Sequence, residues 1–218
     1  MNNNDYIIRR ESSDDYRQVE NIAREAFWNL SVPGCSEHYF IHVLRQHPAF
    51  IPELDFVIEL NGSVIGSVMF SRSKLVDENG YEKSVLTMGP VCVHPDYQRM
   101  GCSRLLLEHS FAVAADMGFD TVINFGNPDN YVARGYKSCK KYNISLENGA
   151  FPAALLVKTL RDDALDGRNW IYYQNDADAP CNDEAAVEEY DKLFPPKIKS
   201  WQPSQEEFYI HCHSEITW

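Results

Sequence analysis

Apolar residues recur along this chain in two rhythms, and the elements change where the rhythm does. Near the N-terminus the rhythm is helical. Tyr16, Val19, Ala23 and Phe27 fall on one face of SSDDYRQVENIAREAFW (12–28), which predicts an amphipathic helix, and Ser12 with Asp15 gives it a capping-box start. DYIIRR (5–10) before it reads as a short strand. CSEHYFIHVLRQ (35–46) predicts a second helix, ended near His47-Pro48 because the residue before a proline avoids the helical region.

From Asp55 the pattern becomes that of strands. DFVIEL and SVIGSVMFS flank Asn61-Gly62, the signature of a hairpin with a tight primed turn, and DENG (77–80) marks another turn. SVLTMGPVCVHP (84–95) is apolar enough to be buried on both faces. Gly89-Pro90 interrupts it, and since proline lacks a ladder donor and glycine weakens a strand, a bulge or local splay is expected there. SRLLLEHSFAVAADMG (103–118) predicts a helix closed by Gly118. Then come a strand, FDTVINF (119–125), and a turn with a short helix, GNPDNYVARGY (126–136), closed by Gly135. YKSCKKYNISL (136–146), PAALLVKTL (152–160) and NWIYYQ (169–174) are further strand candidates. This order predicts an α/β fold (α+β with a mixed sheet) and a right-handed parallel crossover around the 103–118 helix.

The pattern shifts again after Tyr173. Residues 175–191 carry seven acids and no base, which reads as an acidic linker running into a helix over DEAAVEEYDKLF (183–194). Ala186, Val187, Tyr190, Leu193 and Phe194 would share one face of that helix. The tail (195–218) has enough aromatic residues to pack onto the domain. The expected division is a domain over 1–174 and, over 175–218, an acidic linker, short helix and packed tail.

Composition narrows the function. The chain is 44% hydrophobic and 12% aromatic, enough for a substantial core. Its formal charge of -12 argues against nucleic-acid or membrane-surface partners, which need basic patches, and suits a small cationic substrate better. The polar N-terminus, MNNNDYIIRRESSDD, has no apolar core of a secretory signal, and no apolar run approaches the roughly 20 residues a membrane helix needs. Six scattered cysteines fit neither a disulfide framework nor a zinc site, so a cytoplasmic protein with reduced thiols is expected. His211 and His213 would share a face if HCH were a strand, but no second ligand pair accompanies them and no metal is expected.

The candidate chemistry centres on HPDYQRMGCSRLLLEHS (94–110). A strand feeding a loop that opens a helix leaves N–H groups unpaired, and the helix dipole favours an anion there. Gly101 permits close backbone approach, Cys102 and Ser103 are small, and Arg99 and Arg104 add positive charge. The loop is neither a Walker A sequence nor a GxGxxG fingerprint.

Gln98, Arg99, Met100, Gly101, Cys102 and Ser103, with VCVHPDYQ before and YVARGY after, resemble the core of the GNAT-type N-acetyltransferases. GAFPAALLVKTL resembles the YhbS-like subgroup, and the likeness runs from about Asp5 to Tyr173. The resemblance implies the GNAT acyl-CoA fold with a C-terminal extension and acetyl-CoA as co-substrate. In that reading the loop amides from Arg99 to Arg104 hold the CoA pyrophosphate. The backbone of Val91, Cys92 and Val93 meets the pantetheine arm, and Asn127 or Asn130 touches the cofactor. Tyr131 is the general acid toward the CoA thiolate, while Tyr136 packs. Two positions depart from the family pattern. Ser103 stands where glycine or alanine is usual, and Met100 where a basic residue is common.

The general base is not readable: the 84–93 strand carries no carboxylate after Ser84, Glu59 reads as a solvent-face charge, and His94 as a loop cap. Cys92 leaves open a covalent ping-pong route, although a strand cysteine is more often a small buried side chain. The expected function is acetyl transfer from acetyl-CoA to the primary amine of a small molecule, with a homodimer as an open alternative to a monomer. The alternative is a non-catalytic acyl-CoA-binding or regulatory module of the same fold, and an interaction module built on the acidic tail has the least support.

Overall fold

In the computed structural model, which describes residues 6–217, nine strands join one mixed sheet. In chain order they are β1 (Tyr6–Arg10), β2 (Phe56–Leu60), β3 (Ser63–Asp77), β4 (Glu82–Val93), β5 (Thr121–Phe125), β6 (Lys137–Ser138), β7 (Ile144–Ser145), β8 (Leu155–Thr159) and β9 (Trp170–Tyr173). The main path through the sheet is β1-β2-β3-β4-β5-β8-β6, while β9 pairs the far half of β3 and also β7. Only β4–β5 and β7–β9 run parallel. The polar Met1–Asp5 stretch and Trp218 lie outside the described residues.

The helices are α1 (Tyr16–Phe27), α2 (Glu37–Leu44), α3 (Cys102–Asp116), α4 (Pro128–Tyr131), α5 (Glu184–Asp191) and α6 (Pro203–His213). Period-two alternation divides each central strand between two cores. Phe56 and Ile58 of β2 and Phe70 of β3 pack with Leu106 and Ala114 of α3. Val57 and Met69, on the opposite face, pack with Val19, Ala23 and Ile41 of α1 and α2. A third core, with Leu75, Ile123, Val157 and Trp170, closes the far end of the sheet.

The local expectations are met where turn chemistry dictates them. Asn61 and Gly62 both have positive φ, 52° and 79°, as the primed turn requires. In place of a full capping box, the Asp15 carboxylate accepts the Ser12 N–H at 2.8 Å and pairs with Arg9 at 2.6 Å, which holds its acid well below the usual range. Glu59 is not a free solvent-face charge: its carboxylate pairs with Arg9 at 2.5 Å.

Two further expectations fail. Residues 136–146 are not one strand, because two short pieces flank a helical turn at Cys139–Tyr142 that places Cys139 in the third core. The tail is helical over Pro203–His213. His211 and His213 therefore sit about 200° apart around a helix, not on one strand face. Among the described residues no three His, Cys, Asp or Glu side chains group as metal ligands, and no helix is long and apolar enough to cross a membrane.

Candidate active site

The site begins where β4 leaves β5. The two strands pair only at Leu86–Val122 and Thr87–Ile123. Immediately afterwards β4 bulges. Val91 lies opposite Val68 and Met88 opposite Phe70, so Gly89 and Pro90 together face Met69. The extra residue turns β4 away from β5 and leaves that edge of Gly89–Val93 without a strand partner. A cavity of about 210 Å³ fills the opening, with Thr87 to Val91 on one wall and Phe125 and Tyr131 on the other. A second, of about 190 Å³, adjoins it. Phe27, Glu37, Phe125 and Tyr131 line both.

Directly past the end of β4 comes the loop. His94 caps it, its Nδ1 accepting the Asp96 N–H at 3.3 Å, and Gln98 ties it down by donating Nε2–H to the Val93 carbonyl at 3.1 Å. Arg99 and Gly101 both have left-handed φ, 62° and 89°. That conformation is costly for Arg99 but not for Gly101, and a Cβ on Gly101 would meet nothing within 4 Å. The space above the loop is open. The first helical bond runs from Leu105 N–H to Gly101 O at 3.1 Å, so the amides of Cys102, Ser103 and Arg104 precede the α3 ladder. Cys102 is buried in the first core, beneath the start of α3. Arg99, Met100 and Arg104 are exposed, and Arg104 lies 3.7 Å from Glu108.

Tyr131 ends α4, a helix capped by Asn127, whose side chain accepts the Asp129 N–H at 3.0 Å. The Tyr131 ring stands edge-on to Tyr136 at 5.4 Å, and burial pushes its phenol up. Its hydroxyl makes no hydrogen bond among the described residues. Gly126 makes room for the ring, since a Cβ there would lie 2.6 Å from Tyr131 Cε2. Tyr136 is buried and donates its hydroxyl to Met88 Sδ at 3.2 Å, the packing role expected of it.

Val91 lines the cavity, while Cys92 and Val93 turn their side chains into the cores and share the strand edge that has no β5 partner. The Cys92 thiol is 3.3 Å from Ser67 Oγ, and burial pushes its pKa up to about 11. That burial disfavours the thiolate a covalent route would need.

Two residues had no motif to announce them. Glu37, in the first turn of α2, lines both cavities; its carboxylate accepts the Ser36 N–H at 3.1 Å, and burial pushes its pKa up. Asn124 on β5 is buried, and neither end of its amide has a partner among the described residues. An unpaired buried amide costs about 1–3 kcal/mol, which singles it out beside a site. The available signal was a lone asparagine in an otherwise apolar strand. Glu37 had none, because helix packing alone brings it to the cavities.

A family profile for acetyltransferases of the GNAT family matches residues 16–137, more than half of the chain. The chain belongs to the GNAT acetyltransferase family. Its fold resembles that of the GNAT N-acetyltransferase YhbS from Escherichia coli, solved in complex with CoA, with a TM-score of 0.68 at 24% identity over 79% of this chain and 91% of that one. It also resembles a GNAT acetyltransferase from Brucella melitensis in complex with acetyl-CoA, with a TM-score of 0.60 at 21% identity over 79% of this chain and 97% of that one. No curated protein matches the chain. At these identities the likeness establishes the shared GNAT fold. In this GNAT protein the split strand and Tyr131 face each other across the β4–β5 opening, the loop follows the end of β4, and Glu37 enters the opening from α2.

Proposed function

We propose that this GNAT protein transfers an acetyl group from acetyl-CoA to the primary amine of a small cationic acceptor. The observation that carries the reading is the cavity at the β4 bulge, where Tyr131 and Glu37 share the space beside an unpaired strand edge. The residues present fit the co-substrate. Unladdered amides at Cys102, Ser103 and Arg104, with open space over Gly101, suit a pyrophosphate, and Arg99 adds charge. The free edge of Gly89–Val93 offers backbone groups to an amide-bearing arm.

Acetyl-CoA supplies the activated thioester acyl group when bound. The chain's own part is to position, polarise and move protons. Glu37 takes a proton from the acceptor ammonium at its carboxylate, and its raised pKa brings it closer to the operating pH. Tyr131 holds a proton on Oη for the departing thiolate, and its raised pKa keeps it protonated until needed. Asn127, already bonded as a helix cap, contributes shape.

The test measures acetyl-CoA affinity by calorimetry and CoA-thiol release over a panel of amines. Tyr131→Phe and Glu37→Gln should each lower kcat by about 10²-fold and change acetyl-CoA affinity little. Binding without release on any amine would favour the non-catalytic module, to which Met100 and Ser103 point. Absence of binding at millimolar acetyl-CoA would defeat both.

A further inference from the structure

The second cavity has a wall that the GNAT core does not supply. Ser204, Glu207 and Phe208 of α6 line it opposite Glu37 and Tyr131. The segment bearing them is tied at both ends. Upstream, Gln205 donates to the carbonyls of Asn29 and Ser200 at 3.0 Å each, Ser204 Oγ donates to Leu30 O at 2.8 Å, and Asn29 bonds Ser200. Downstream, Ala153 N–H reaches Ser214 O at 2.8 Å and Ile216 N–H reaches Phe151 O at 2.9 Å. A segment fixed this way is a strap across the cavity.

The lining has one chemical character. Two carboxylates, Glu37 and Glu207, stand among the rings of Phe27, Phe125, Tyr131 and Phe208, with no Lys or Arg among the lining residues. Glu207 makes no ion pair or hydrogen bond among the described residues, although other acids of the extension, Glu188 and Glu189, are paired with lysines. Carboxylates against aromatic faces bind cations. One carboxylate serves the reacting amine, and the other, exposed at the mouth and unpaired among the described residues, is placed for a second cation.

We infer that α6 is the outer wall of the acceptor site and that Glu207 selects acceptors with a second ammonium group, of the short-diamine class. The inference rests on the acetyltransferase reading above, with Glu37 at the reacting amine. The far ammonium sits at Glu207 under Phe208, so the strap sets specificity while the core does the chemistry.

The experiment compares diaminobutane with butylamine as acceptors, in the full chain and in two variants. The full chain should prefer the diamine by about tenfold or more in kcat/KM, mostly through KM. Glu207→Gln should bring that ratio close to one, whatever it does to butylamine itself. Glu206→Gln, one residue away and lining a different hollow, should keep the wild-type ratio. Equal use of both amines by the full chain, or a ratio unmoved in Glu207→Gln, would overturn the inference and leave the acetyltransferase reading intact. Acetyl-CoA binding with release on neither amine would defeat that reading, and the inference with it.

Discussion

At the scale of the residue, one hydrogen atom decides where Tyr131 stands. Gly126 has ordinary φ, so its need is for space alone. A methyl group there would lie 2.6 Å from Tyr131 Cε2 and 3.1 Å from Asn124 Nδ2. Backbone and ring cannot both keep their places at such contacts, and the ring is the part free to turn. Under the general-acid role proposed for Tyr131, Gly126→Ala should therefore lower kcat by about tenfold or more, with a smaller change in acetyl-CoA affinity, because a misplacement of an ångström in such a group carries such costs. Thiol-release kinetics beside calorimetry separate the two, and an unchanged kcat would show that the ring position does not matter. Residues with a local conformational role were legible in the sequence. Gly101 announces itself as a glycine where a loop opens a helix, and Tyr131 is legible only through the resemblance to the family's tyrosine four residues before a glycine. Glu37 and Asn124 were not legible. Each acts through what the fold brings beside it, and neither breaks a local rule strongly enough to be noticed.

At the scale of the element, α5 is held to α1 and α2 by a buried polar group. Arg24 and His38 are fully buried, and Asp191 of α5 lies 2.6 Å from Arg24 and 3.3 Å from His38 Nε2. Burial lowers the His38 pKa to about 4 from 6.5; Asp191 opposes this, and Arg24 and Arg17 reinforce it. Cys35, whose Sγ is 3.5 Å from Nδ1, carries a thiol pushed up by burial and adds no charge. The unfolded chain thus binds a proton that the folded chain refuses between pH 6.5 and 4. The contribution is whole above that window and is lost as the pH falls through it, at most about 3 kcal/mol. Urea unfolding should show about 2 kcal/mol of loss between pH 7 and pH 5 that His38→Gln does not share. An identical loss in the variant would place the titration elsewhere. None of this pairing was legible, because the partners are about 150 residues apart in the chain. The β4 bulge was legible, since a proline inside a strand has few other outcomes. The tail helix was not: Phe208, Tyr209, Ile210 and Cys212 lie on all sides of it, so no period stands out, and its hold comes from Gln205 and Ser204 bonds to the α1–α2 connection.

At the scale of the molecule, the net charge of -12 acts with opposite sign on acetyl-CoA and on the amine acceptor proposed above. A small amine is almost wholly ammonium at neutral pH, while a CoA thioester is polyanionic. The field of the whole chain draws the first toward a cavity whose lining holds carboxylates and no Lys or Arg. It repels the second, whose landing depends on the local amides and Arg99 at the head of α3. Raising ionic strength from about 0.01 M to 0.15 M shortens the Debye length from about 30 Å to 8 Å and removes most of the long-range part. The kcat/KM for the amine should therefore fall severalfold over that range, and the kcat/KM for acetyl-CoA should not fall with it. Glu→Gln changes on the exposed face of α5, at Glu184 and Glu189, should flatten the amine dependence without touching kcat, because those residues shape the field and not the site. A parallel fall for both substrates would mean that salt acts on the enzyme itself rather than on the approach of its substrates.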